Sequence, residues 1–283
     1  MKMVIINADD LGFSRANNEA IIECYSRGCV TGVSLMPTGQ CFQEAVDMLK
    51  AISRTEVGVH LALTGDMEPV VKKEGISSLP ASGAKFRGDY ISFAAGYFSG
   101  AIKRSHIYDE LRSQVKKVLD TGLSITHIDG HEHIHMFPAI FKMTVDLAEE
   151  FGIPYVRIPV EQFTLKPEYF APKKIAGYIA LSAFSAVSVK VPELVSNDHF
   201  RGYFDSGNVN DILMNGFIKS LMPGVTEIAV HPYIYSPDFV SKYPWYLGSR
   251  QEFDVLMNGT WKSLLEPCGA RLVTHKQAVE SSR

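Results

Sequence analysis

Ten consecutive residues, Thr126-His127-Ile128-Asp129-Gly130-His131-Glu132-His133-Ile134-His135, hold four of the chain's nine histidines and two carboxylates. Imidazoles and carboxylates are costly to bury without a partner or a metal. The density therefore points to a metal site or an acid-base site, the bland alternative being a solvated loop rich in histidine. Three other places offer matching chemistry: the pair Asp9-Asp10, His60, and His231 before Pro232. One carboxylate of the Asp pair, His60 and one histidine of the 127–135 cluster would make a two-histidine, one-carboxylate face with positions left for water or substrate. Such mixed donors accept zinc, magnesium, manganese, cobalt or ferrous iron. The second carboxylate would be free as a general base for a water acidified by the cation. His231 suits a general acid, and equally a histidine that only caps a strand end. Asp129 lies two residues from both His127 and His131, so on an extended strand the three share a face and Asp129 would orient one of those imidazoles. Arg157 suits a grip on a carbonyl, a carboxylate or the catalytic Asp, with a surface salt bridge as the plain alternative.

These residues recur at the ends of strand-like runs. Val4-Ile5-Ile6-Asn7-Ala8 precedes Asp9, Glu56 to Leu63 carries His60, the alternation Leu123-Ser124-Ile125-Thr126 precedes the cluster, Tyr155-Val156-Arg157-Ile158 carries Arg157, and Thr226 to Val230 runs into His231. Further strands are expected at Val30 to Met36, near Asp198-His199-Phe200, and at Arg271 to Thr274. Helical spacing fills the gaps: Asn17 to Arg27 capped by Ser14, Phe42 to Ile52, Ile107 to Leu119, Pro138 to Phe151, Ile175 to Val189, Val209 to Leu221 and Glu252 to Leu265. Thr64 to Arg104 is rich in glycine and proline with little period, and reads as a lid or substrate wall. Alternating strands and helices imply a mostly parallel sheet. The expected fold is α/β, a single domain over residues 1–283 forming a distorted (β/α) barrel of seven or eight strands, whose active site gathers at the C-terminal strand ends. A doubly wound open sheet is the competing fold and would gather only some of these groups.

The chain has 283 residues, 46% hydrophobic and 21% charged, with a formal net charge of −3, as ordinary globular proteins do. A pI near 6.3 gives no electrostatic reason to expect nucleic acid or an anionic membrane as partner. No apolar run approaches the ~18–20 residues of a membrane span, and the N-terminus does not read as a signal peptide. Cys24, Cys29, Cys41 and Cys268 form no paired pattern. The expectation is a cytoplasmic protein.

The motifs Asn7-Ala8-Asp9-Asp10-Leu11-Gly12, Gly58-Val59-His60-Leu61, His127 to Pro138 and His231-Pro232 together resemble the YdjC family of carbohydrate deacetylases, which includes chitooligosaccharide deacetylases. Two departures stand out: Leu11 replaces the usual Phe, and Gly130-His131-Glu132-His133 replaces a more His-rich run. Matched motif by motif, the resemblance implies Asp10, His60 and His131 as metal ligands, Asp9 as base and His231 as acid. Asp129, Arg157 and His127 are left to support them, and His133 and His135 to loop structure or substrate contact. It also implies a divalent metal with magnesium favoured, a homodimer, and removal of acetyl groups from an N-acetylated amino sugar, such as chitobiose or a phosphorylated form of it. Phe86, Tyr90, Tyr233, Tyr235, Trp245 and Tyr246 are candidates for stacking on sugar rings. Three rival readings remain: a phosphohydrolase acting on phosphosugars, a ferrous-iron oxygenase, and a sugar-binding protein without catalysis.

Overall fold

The structure is a computed structural model that describes residues 1–72, 74–80, 84–162, 172–186, 194–234 and 236–282. Strand β1 (Lys2–Leu11) leads to helix α1 (Arg15–Ser26), then β2 (Gly32–Leu35), α2 (Phe42–Ala51) and β3 (Glu56–Leu61). Helices α3 (Tyr90–Phe98) and α4 (Arg104–Leu119) precede β4 (Ser124–Gly130), which passes into a short 3-10 turn (His131–Met136) and α5 (Pro138–Phe151). Then follow α6 (Pro172–Ala186), β5 (His199–Arg201), α7 (Asp211–Lys219), β6 (Gly224–Val230), α8 (Pro237–Lys242), α9 (Ser249–Asn258), β7 (Ala270–Leu272) and α10 (His275–Ser282).

Local chemistry explains several boundaries. The Ser14 side chain accepts the Asn17 N–H at 3.2 Å and so starts α1. Pro138 opens α5, and Gly152, at φ 65, ends it in the left-handed region. Strand β4 runs four residues past the alternation that ends at Thr126, because its inward positions are polar and hide the usual pattern.

Among the described residues the seven strands are all parallel, in the order β4-β3-β2-β1-β6-β5, with β7 beside the first residues of β1. Isolated parallel bridges join Ile128 to Val156, Tyr155 to Val195 and Glu161 to Phe200. The 155–161 segment thus touches β4 on one side and β5 on the other, and curls the sheet toward a distorted barrel rather than a flat doubly wound sheet. The strand expected at Tyr155 to Ile158 exists only as these bridges, since Pro154 and Pro159 have no N–H to give a ladder. The expected wall between Thr64 and Arg104 contains α3, capped by the Asp89 side chain on Ser92 N–H at 3.0 Å. Sequence periodicity also missed α8 and α10. The helix expected at Glu252 to Leu265 is divided by Gly259 (φ 64) into α9 and a 3-10 turn. Residues 187–189 of the expected helix after Ile175 lie outside the described residues.

The interior of the ring changes character along its axis. At the bottom, Met3, Ile5, Tyr155 and Val225 form an apolar cluster with Val273, Ala278 and Val279 of the C-terminal segment. Two residues past Ile5 and Val225, Asn7 and Glu227 are fully buried and polar, as are Ser34, bonded to Asn7, and His127, bonded to Ser34, and above them come Asp9, His60, Asp129 and Arg157. Period-two alternation therefore stacks the functional groups on a polar layer that itself rests on an apolar plug. Gly58 belongs to that layer because a Cβ there would run into the His127 imidazole. Gly58→Ala should cost roughly 1–3 kcal/mol by overpacking. Adding His127→Ala should recover part of that loss, which a double-mutant cycle on urea midpoints will show; strict additivity would contradict the packing argument.

Candidate active site

Asp9 and Asp10 end the long central strand β1, and Asp10 adopts φ 64, a conformation that non-glycine residues take at a cost. The kink lets two adjacent carboxylates serve the same cavity, since on an unbroken strand they would face opposite sides. Asp10 Oδ1 lies 3.0 Å from His131 Nδ1 and 3.3 Å from His60 Nε2. The Tyr246 hydroxyl donates to its Oδ2. Asp10, His60 and His131 each offer a ligand atom, and these atoms lie within 4.8 Å of one another, as do those of Asp9, His60 and Asp129. The donor set suits a divalent cation: two imidazoles and a carboxylate, on three separate elements, at the floor of a cleft.

Asp9 is held differently. Arg157 donates two hydrogen bonds to it, Nη1 to Oδ2 at 2.6 Å and Nη2 to Oδ1 at 2.8 Å, and Asn7 Nδ2 adds a third at 2.7 Å. The same guanidinium reaches Asp129 Oδ2 at 2.7 Å and Glu227 Oε1 at 2.6 Å. All four side chains are buried. Burial alone would raise the Asp9 carboxyl, but Arg157 outweighs it and holds the group well below the usual carboxylate range. Glu227 behaves likewise, its pKa brought down to about 2 against burial by Arg157. Of the alternatives anticipated for Arg157, the structure places it on carboxylates, Asp9 among them, and not in a surface salt bridge.

Asp129 does not orient His127 or His131. It bonds His60 Nδ1 at 2.8 Å and accepts the Ser34 hydroxyl at 2.7 Å. The shared-face argument fails for His131 because that residue opens the 3-10 turn, and for His127 because it sits one layer lower. His127 is fully buried, 3.0 Å from Ser34 Oγ, and stacks on His275 with ring centroids 3.5 Å apart. His60 loses charge stability to burial but gains more from Asp129, Asp10 and Asp9, so its pKa rises to about 10.

His231 follows β6 and points Nε2 toward Asp9 Oδ2 at 3.9 Å. Its Nδ1 lies 3.4 Å from Ser206 Oγ and 4.0 Å from Glu252 Oε2. Glu252, buried in α9, accepts the backbone N–H of His231 at 2.5 Å and of Val209 at 3.1 Å. His135 Nε2 bonds the Arg157 carbonyl at 3.0 Å, so it belongs to the scaffold.

The cleft above these groups measures about 930 Å³, at the upper end of small-molecule sites (~300–1,000 Å³). Gly65, Met67, Lys85, Phe86 and Ser92 line it, so the stretch after Thr64 forms part of the cleft wall. Phe86 and Tyr246 line the cleft as candidates for stacking, together with Phe13 and Tyr243. Tyr246 spends its hydroxyl on Asp10, and Tyr233 is fully buried against Phe239 and Tyr246 rather than facing a sugar. Tyr90 opens α3, half-buried. Tyr235 and the Trp245 side chain lie outside the described residues.

The sequence profile of YdjC-like proteins matches residues 3–267. The chain belongs to the YdjC-like family. A carbohydrate deacetylase of Brevibacillus brevis is 36% identical over 156 residues, which is 55% of this chain and 59% of that protein. One from Clostridium beijerinckii is 35% identical over 151 residues, 53% of this chain and 58% of that protein. The chain thus spans little more than half the length of the curated relatives it matches. A crystal structure from Enterococcus faecalis, named for cellobiose-phosphate cleavage, superposes with a TM-score of 0.76 over 98% of both chains at 23% identity, a likeness of fold. Within this YdjC-like chain, β7 and α10 lie beyond the profile match.

Asn7, Ser34, Tyr155, Glu227, Glu252 and His275 were not found from sequence. Glu227 alone carried a signal, a carboxylate within a strand-like run directly before the apolar residues Ile228-Ala229-Val230. Two outcomes follow from the buried network. Arg157→Met should destabilise the protein by about 3–5 kcal/mol, because three carboxylates lose their cation, and chemical denaturation will measure it. Without metal, the folded state raises the His60 pKa above its unfolded value near 6.5, so that contribution is full below pH 6.5 and is lost as pH rises toward about 10. Melting temperatures of the metal-free protein should fall across that window, and a His60→Gln variant should lack this component of the fall.

Proposed function

We propose that the protein is a metal-dependent hydrolase that removes acetyl groups from N-acetylated carbohydrates, with chitooligosaccharides such as chitobiose, or a phosphorylated form, as substrate. The observation that carries the reading is the juxtaposition of two different devices on one cleft floor: the Asp10, His60 and His131 donors, and the Asp9 and His231 pair. Deacetylases among the relatives support it. Magnesium as the metal and a homodimer as the working form are taken from the family resemblance.

When bound by Asp10, His60 and His131, a divalent cation supplies Lewis acidity and lowers the pKa of water. Asp9, fixed by Arg157 and Asn7, accepts a proton from the water that attacks the acetamide carbon. His231 holds a proton on Nε2 and delivers it to the amide nitrogen as the C–N bond breaks. Glu252 and Ser206 on the Nδ1 side favour the ring orientation that this requires. The products are acetate and a free amino sugar. Asp129 fixes the His60 ring through Nδ1 and leaves Nε2 toward Asp10.

The phosphohydrolase reading asks for free cationic groups over the ligand cluster. Arg157 is engaged by three carboxylates, and Lys85 on the cleft wall is paired with Asp66 at 2.5 Å. Screening short chitooligosaccharides, their 6-phosphates and other acetylated sugars should give acetate release only with added divalent metal. Asp9→Asn should retain metal and lose about 10²–10⁴-fold in rate. A binder without catalysis would be indifferent to that change, and no acetate from any sugar under several metals would refute the proposal.

A further inference from the structure

His133 has no part in this mechanism, although it lines the same cleft as Asp9 and His231. Its backbone is left-handed at φ 55, and so is that of Glu132 at φ 49. Two successive non-glycine residues in that region are uncommon. The ring is fixed by aromatic neighbours, edge-on to Phe200 at 5.7 Å between centroids and tilted on Tyr203 at 5.9 Å. Nδ1 is buried without a hydrogen-bond partner.

A neutral imidazole carries one N–H and one bare nitrogen. A buried orphan donor is rarer than an under-satisfied acceptor, so the proton belongs on Nε2 and the bare lone pair on Nδ1. Nε2 is absent from the buried orphans and bonds no group among the described residues, which leaves it open to the cleft. His135 is different: it is fully buried and its Nε2 is used on the Arg157 carbonyl. The kinked turn also acquires a purpose. Residues two apart do not face the same way on a helix, yet here His131 and His133 both reach one cleft.

We infer that His133 is a substrate-binding residue whose Nε2–H donates to an uncharged oxygen, hydroxyl or amide carbonyl, of the acetylated sugar; the inference rests on the deacetylase reading. The two aspartates on the cleft floor are already matched, Asp9 by Arg157 and Asn7, and Asp10 by Tyr246 and two histidines. A neutral donor among the aromatic rings of Phe200 and Tyr203 suits a sugar oxygen, whereas a phosphate calls for a cation.

The test compares metal-loaded wild type, His133→Phe and His133→Gln for calorimetric binding of N,N′-diacetylchitobiose, acetate release and metal content. His133→Phe keeps a ring and removes the donor; it should weaken binding and lower kcat/KM by about 5- to 100-fold, with metal content unchanged. His133→Gln, whose amide N–H reaches a similar place, should recover much of the loss. Equal behaviour of His133→Phe and wild type overturns the inference, as does loss of metal from His133→Phe or equal damage in both variants. If His133→Phe does not fold, the wild-type imidazole nitrogen resonances decide: the Nε2–H signal of His133 should shift when the sugar is added, and an unmoved signal overturns the inference. Wild type that binds the sugar but releases no acetate ends the deacetylase reading while the binding comparison still decides the role of His133. Wild type that does not bind it ends both.

Discussion

One buried guanidinium organises this protein. Arg157 meets Asp9, Asp129 and Glu227 at 2.6–2.7 Å, with no exposure of its own side chain. Each of those carboxylates comes from a different strand, β1, β4 and β6, so the ion cluster is also a tie across the ring. An ion removed from water costs several kcal/mol unless its partners satisfy it fully. Here the donors Nε, Nη1 and Nη2 are all used, and the remaining lone pairs take hydrogen bonds from Asn7, Ser34 and Tyr155. The geometry of Asp9 and Asp129 is therefore set before any substrate arrives.

The charges do not balance within that cluster. Asp9, Asp10, Asp129 and Glu227 place four carboxylates in and around the ring's polar interior against a single guanidinium. The shortfall is met in the metal-free protein by histidine: burial opposes a charge on His60 and on His131, yet the carboxylates around each raise both pKa values. A site that draws protons onto two imidazoles has room in its electrostatics for a divalent cation, and the same nitrogens are the donors that a cation would take. Farther from the carboxylates the balance reverses. His127 and His133, where burial comes first and Arg157 adds to it, have pKa values well below the ordinary one. The four histidines of one short stretch thus divide by depth and neighbour, not by sequence spacing.

The sequence made the strand ends legible because each carries a polar residue directly after a β-branched run, and the parallel alternation made a ring the economical way to gather them. Asp9, Asp10, His60, His131, Arg157 and His231 meet in one place for that reason. The supporting layer was not legible. Asn7 and Ser34 are ordinary residues in strands, and Glu252 sits in a helix where Gln251, Asp254 and Asn258 face water. Their roles depend on cross-strand register, which composition does not carry. The partner of Asp129 was misjudged on the same ground: spacing relates it to His127 and His131 along its own strand, whereas β3 lies beside β4 and brings His60 level with it in the sheet. Tertiary pairing overrides local spacing wherever a side chain has a neighbouring strand to reach.

The grip of Arg157 on Asp9 also constrains the chemistry. Two guanidinium hydrogen bonds keep Asp9 ionised and correctly aimed, and by the same interaction make it a weak base. A carboxylate so stabilised takes a proton readily only from an acidified water, which is the condition a cation at Asp10, His60 and His131 would create. The two halves of the proposed site are in this sense interdependent: the base is tuned for a water more acidic than bulk, and would be ineffective alone. On the opposite side His231 faces the reverse problem, since an acid must hold its proton until the amine departs. Glu252, a buried carboxyl anchored by the His231 and Val209 backbone N–H groups, lies on the Nδ1 side of that ring beside the Ser206 hydroxyl, and burial raises its pKa. In the proposed reaction the fold thus sets a cation behind the base and a buried carboxyl behind the acid, so that neither transfer is favoured until the water is acidified on one side and the leaving nitrogen turns basic on the other.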